Sequence, residues 1–156
     1  MDKMRWRCGD TNPVVAAVEA DAIIEIGDLL FHDEGFAKPA EDFGVLFSTD
    51  GPAVQELLEE FAGCFLGVAM QRSPRGYGAP IHVATTGVFE FDCAADSFEL
   101  GDLLGPSVAG RQLARQSVAA VNFPRLAIAR VARFAKTPTT SVLARIRSAV
   151  MCGGIA

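Results

Sequence analysis

Asp28 and Asp102 occupy matched settings, Glu-Ile-Gly-Asp-Leu-Leu and Glu-Leu-Gly-Asp-Leu-Leu. Two carboxylates presented by related segments can divide acid and base roles between them, one protonated and one ionised. Each also follows a glycine. Gly-Asp between β-rich runs is turn chemistry: glycine accepts positive φ, and the aspartate side chain binds nearby backbone amides. Gly27, Asp28, Gly101 and Asp102 are therefore read as structural bends. Only their symmetry speaks for acid–base work.

The other reactive side chains stand without partners in sequence. His32 and His82 are the only histidines, and neither lies in a catalytic or metal-binding motif. Ser107 and Ser141 have no nucleophile-elbow context. Arg75-Gly-Tyr-Gly78 has phosphate-cradle residue types, but its glycines do not open a helix. Cys8, Cys64, Cys93 and Cys152 are scattered, without the paired spacing of a zinc site or a disulfide framework. These residues predict no enzyme, no cofactor and no metal.

The two Gly-Asp segments define the architecture that must hold them. Gly27 and Gly101 are 74 positions apart (101 − 27), and the register runs back without a gap to pair Val14 with Val88. Such an echo marks a structural repeat. The segments around it are short, β-branched and alternating: 14–31, 64–70, 81–92, 117–123, 125–135 and 140–150. Residues 32–44 and 71–80 read as loops. One helix is expected over about 52–62, capped by Asp50 with Pro52 in its first turn. Val54, Leu57, Leu58 and Phe61 form its apolar stripe. The expected fold is mainly β: a compact barrel or sandwich of two pseudo-repeated units, about 13–86 and 87–152, that close on each other. Residues 1–12 are expected to form an extended arm outside the barrel.

Half of the 156 residues are hydrophobic, enough for a core, and no apolar run approaches the roughly 20 residues of a membrane-spanning helix. Together with the absence of a signal-peptide pattern, this predicts a soluble protein kept in the cytoplasm. Charge is segregated. All 19 acidic residues precede Leu103, alongside six basic ones, whereas eight basic residues and no acid follow it. The two parts carry −13 and +8, which sum to the net −5. Segregation of this kind suits paired halves, docking on a neighbour or binding nucleic acid. The basic residues are spread along strands, and one Tyr and one Trp offer little for base stacking, which disfavours nucleic acid. The arm carries Arg5-Trp6-Arg7, residue types that anchor protein interfaces, and these three are the candidate contact residues.

The Gly-Asp-Leu-Leu turn resembles that of biotinyl and lipoyl carrier domains. Those domains need a modified lysine on a hairpin, and neither Lys3, Lys38 nor Lys136 has that context. "GDTNPVVAAVEADAIIEIGDLLFHD", "FLGVAM", "VATTGVFEFDCAADSFELGDLLGP", "LAIARVAR" and "IRSAVMCGG" together resemble the capsid cement (head decoration) proteins of tailed bacteriophages. That resemblance implies a non-enzymatic virion protein on the capsid exterior, assembled in the host cytoplasm. It would clamp neighbouring major capsid proteins, with a trimer at local threefold positions favoured. The alternative from another class is a small-ligand or carbohydrate-binding β-barrel, which needs an aromatic-lined pocket.

Overall fold

Both Gly-Asp bends are built alike. In the computed structural model, which describes residues 2–44 and 52–151, Gly27 has φ 96° and Gly101 φ 86°. The Asp28 carboxylate accepts the Glu25 amide at 2.9 Å, and the Asp102 carboxylate accepts the Glu99 amide at 2.9 Å. The Gly27 amide donates to the Ala69 carbonyl and the Gly101 amide to the Val131 carbonyl, each at 2.9 Å. The Ala69 amide returns to the Asp28 carbonyl and the Val131 amide to the Asp102 carbonyl, at 2.9 and 2.8 Å. The repeat therefore preserves a specific hydrogen-bonding device: a bend that starts one strand and ties it to another.

The strands follow the same plan twice. The first half contains β2 (Val14–Ala16), β3 (Leu29–Asp33), β4 (Phe36–Pro39), β5 (Phe65–Ala69) and β6 (Ile81–Ala84). The second contains β7 (Thr86–Phe98), β8 (Leu103–Ala109), β9 (Gln112–Ala120), β10 (Ala129–Val131) and β11 (Ala135–Arg147). The first sheet has the order β2-β6-β5-β3-β4 and the second β7-β11-β10-β8-β9. Taken in chain order within each half, the two are the same sequence of positions. A parallel pairing of Asp92 with Ser117 joins β7 to β9 and closes the second sheet into a five-stranded barrel. The first sheet has the corresponding parallel contact as a single bridge, Ala17 with Phe36. Equivalent positions also meet. The Thr85 amide donates to the Thr11 carbonyl at 2.9 Å, and 85 − 11 is again 74.

Each half fills its own interior. Ile24, Leu30, Leu66, Ile81 and Val83 belong to a buried cluster made only of first-half residues. The larger cluster joins Phe89, Phe91, Leu104, Leu113, Val118 and Ile146 of the second half to Leu29, Phe31 and Phe65 on the first half's other face. Closing a strand set on itself removes exposed edges. The expected compact barrel or sandwich of two units is thus a five-stranded closed barrel packed against a second five-stranded sheet.

The helix α1 (Pro52–Cys64) lies between β4 and β5. Leu58 and Phe61 are buried and Val54 and Leu57 half-buried, so the stripe faces inward as expected. Phe61 packs against Phe31, Phe43 and Phe65 with ring centroids 6.2, 5.4 and 5.9 Å away. Aromatic clusters of this kind fix a helix by shape as well as by area. Helix formation continues past Gly63 to Cys64. The cap assigned to Asp50 lies outside the described residues.

Two expectations are corrected. Residues 32–44 are not one loop: β3 and β4 form a hairpin whose turn, Glu34-Gly35, has φ 50° and 87°. Positive φ at both central positions matches the right-handed strand twist, so the polar tip turns the chain tightly. The described part of the 1–12 segment is not an arm outside the barrel. β1 (Trp6–Cys8) pairs antiparallel with β7 and extends the six-stranded sheet. The pairing is held from below by Arg5, described next.

Candidate functional site

The two halves and the N-terminal strand meet at one buried ionic junction. Asp28 is fully buried. Its Oδ2 accepts from Nε of Arg115 at 3.0 Å and also from that guanidinium's Nη2. Its Oδ1 accepts from Gln116 Nε2 at 2.9 Å. Arg115 additionally reaches Glu41 at 3.1 Å and the Ile23 carbonyl at 2.7 Å. Gln116 Oε1 accepts from Arg5 Nε at 2.9 Å. Arg5 then donates to the Glu90 carbonyl at 3.1 Å and to Asp92 at 2.9 Å.

This chain of contacts explains its own chemistry. Burial lowers the pKa of the Arg115 guanidinium, but the hydrogen bonds and charges of Asp28 and Glu41 outweigh it and leave the group raised. The hydrogen bond from Arg5, with its charge, holds the Asp92 carboxyl below the usual range. Every lone pair of Asp28 that faces the junction is engaged, so this carboxylate acts as a fixed anchor. Asp102, by contrast, is only half-buried and is held by its own turn. The twin aspartates are thus two separate bends, and the buried member has acquired an interface role.

The three candidate contact residues divide. Arg5 is 4% exposed, because its guanidinium is used inside the junction. This corrects its assignment as an outward contact. Trp6 remains exposed with its Nε1 donating to the Gly9 carbonyl at 2.9 Å. Arg7 is exposed and lies 3.5 Å from Glu90. Both stand on an edge strand, where side chains and backbone are open to a partner.

The remaining candidates lie apart. His32 is exposed on β3, and His82 Nδ1 lies 2.9 Å from Gln71 Oε1. The Ser107 and Ser117 hydroxyls pair at 3.0 Å. Arg75 to Gly78 form an exposed loop, and Lys38 pairs with Asp33 at 2.8 Å. Among the described residues, no three of His, Cys, Asp and Glu gather as a metal set, and no helix is long and apolar enough to cross a membrane. No family model matches the chain, and no curated protein matches it.

Cys8 is exposed, whereas burial, aided by Asp33, pushes the Cys64 thiol up to about 11. Burial also raises Cys93. Because thiolate is the nucleophile, Cys64 should carry about a hundredfold less of it than an ordinary thiol near neutral pH. Mass-spectrometric mapping of iodoacetamide labelling is expected to show Cys8 modified first, with Cys64 and Cys93 trailing.

The residues that sequence reading missed are Arg115, Gln116, Glu41 and Asp92. One signal was present: residues 111–116 carry two arginines and two glutamines on a segment that must pass the bend of the other half. Polar residues in a strand that packs against another unit need partners there.

Proposed function

We propose that this chain is a non-enzymatic structural protein that binds the outer surface of a phage capsid and strengthens contacts between major capsid proteins. The observation that carries the reading is the buried junction. It spends Asp28 and Arg5 on rigidity, and leaves Trp6 and Arg7 outward on an edge strand. A rigid body that presents an exposed Trp-Arg edge is suited to adhesion. Many such contacts, repeated over a lattice, give avidity without any one being tight. The proposed partner is a major capsid protein, and the proposed assembly is a homo-oligomer, with a trimer favoured. The resemblance in sequence adds to this reading.

A ligand-binding barrel is less well supported. Leu104, Leu113, Val118 and Phe91 are buried in the closed sheet's core, where a ligand would have to sit. Small five-stranded barrels fill with side chains. In lysates of phage-producing cells, the chain is expected to sediment with head-sized particles. The double variant Trp6→Ala, Arg7→Gln should lower its occupancy about tenfold or more while leaving Tm nearly unchanged. Wild-type chain remaining at the top of the gradient would overturn the proposal.

A further inference from the structure

We propose that a groove beside β10 and β11 docks an acidic, partly aliphatic polypeptide segment of a partner protein. The groove encloses about 890 Å³ and is bordered by Arg130, Arg145 and Arg147. All three arginines are exposed. Arg130 and Arg145 are direct cross-strand partners, and Arg147 lies two residues along the same strand, on the same face.

Like charges placed directly opposite each other destabilise a sheet. Among the described residues, none of these three guanidiniums has a carboxylate partner. Arg130 donates only to the Gly101 carbonyl, at 3.1 Å. Five of the other eight arginines, Arg5, Arg7, Arg72, Arg115 and Arg125, carry an ion pair among the described residues, whereas these three stand together on one face without one.

The repeat shows that the fold does not require this cluster. Leu29 pairs with Val68, and the equivalent Leu103 pairs with Arg130. Val68 in turn pairs with Ala84, as Arg130 does with Arg145. The first half thus holds a buried Val–Ala pair where the second holds two exposed arginines. A carboxylate supplied from outside would neutralise the cluster.

The chemistry of the groove selects a peptide. Leu103, Pro124 and Ala127 contribute apolar surface to its wall, so the occupant brings apolar side chains as well as acids. Among the described residues none of its lining is aromatic, which removes the stacking platform used for single-stranded nucleic acid. Asp10, the one acid among the described lining residues, opposes a continuous polyphosphate. The inference concerns the groove itself and stands whether or not the partner is a capsid protein.

Fluorescence anisotropy tests it with three labelled probes: a peptide alternating glutamate and valine, its lysine–valine counterpart, and a single-stranded oligonucleotide. Only the acidic peptide is expected to bind, and less tightly as salt rises. Arg145→Glu should weaken it about tenfold or more. The same change should hold or raise Tm by a few degrees, since it places opposite charges across the strands. Arg133→Glu, off the groove, should leave both readings unchanged. Should Arg145→Glu fail to fold, Arg147→Glu carries the same binding test. The proposal falls if the acidic peptide does not bind, if the oligonucleotide binds as tightly, or if the folded groove variant binds like wild type.

Discussion

Replacing Asp28 with alanine is expected to cost about 3–5 kcal/mol of folding stability, against about 1 kcal/mol for Asp102→Ala. The two aspartates share a local sequence and a local turn, so a purely local account predicts equal costs. The difference comes from what lies beyond the turn. At Asp102 the loss is one hydrogen bond from the Glu99 amide, at a site water can reach. At Asp28 it also takes from the Arg115 guanidinium its buried carboxylate, leaving only Glu41 and the Ile23 carbonyl, and leaves Gln116 Nε2 without its carboxylate partner. Removing one member of a buried ion pair is costly because the other charge stays desolvated. Urea unfolding of the two variants gives the comparison directly. A cycle of Asp28→Asn with Arg115→Met should also return a coupling of about 1–3 kcal/mol. Equal losses for Asp28→Ala and Asp102→Ala would mean that the junction adds nothing to the turn.

Such a junction also sets the limit of what sequence could show. The echo around Gly27 and Gly101 was legible because a turn is a local device with local residue requirements. The mainly β class and the helix stripe followed from periodicity. What local patterns could not carry was the choice between identical turns. Nothing in Glu-(Ile/Leu)-Gly-Asp-Leu-Leu says which copy is to be buried. That depends on Arg115 and Gln116, which arrive from β9 in the other half. Their presence breaks the alternation of β9, so residues 112–116 did not read as strand. The N-terminal strand was hidden for the same reason. Its three residues are exposed, and its position is set by a side chain, Arg5, bonded more than 80 positions away. The hairpin at Glu34-Gly35 failed differently: a non-glycine residue at positive φ gave a polar stretch that looked like loop.

Gly27→Ala should also separate from Gly101→Ala, and it tests the junction by volume alone. Both glycines have positive φ, so any L side chain is strained at either position, by about 1–2 kcal/mol. At Gly101 that is the whole effect, since an added Cβ meets nothing within 4 Å. At Gly27 the same Cβ would lie 2.5 Å from the Lys3 carbonyl, 3.1 Å from Gln116 Oε1 and 3.2 Å from Arg5 Cγ. The first of these is backbone and cannot swing aside, so the N-terminal segment must move and take Arg5 with it. Overpacking adds about 1–3 kcal/mol, bringing the expected total for Gly27→Ala to about 2–5 kcal/mol. The movement has its own signature. The Glu90 amide donates to the Arg5 carbonyl at 2.8 Å, so hydrogen exchange at Glu90 should accelerate in Gly27→Ala and stay protected in Gly101→Ala. Matched stability losses, or unchanged exchange at Glu90 in the Gly27 variant, would mean that the N-terminal strand is not seated on the first bend. The edge carrying Trp6 and Arg7 would then lose the support that makes it a fixed surface rather than a loose end.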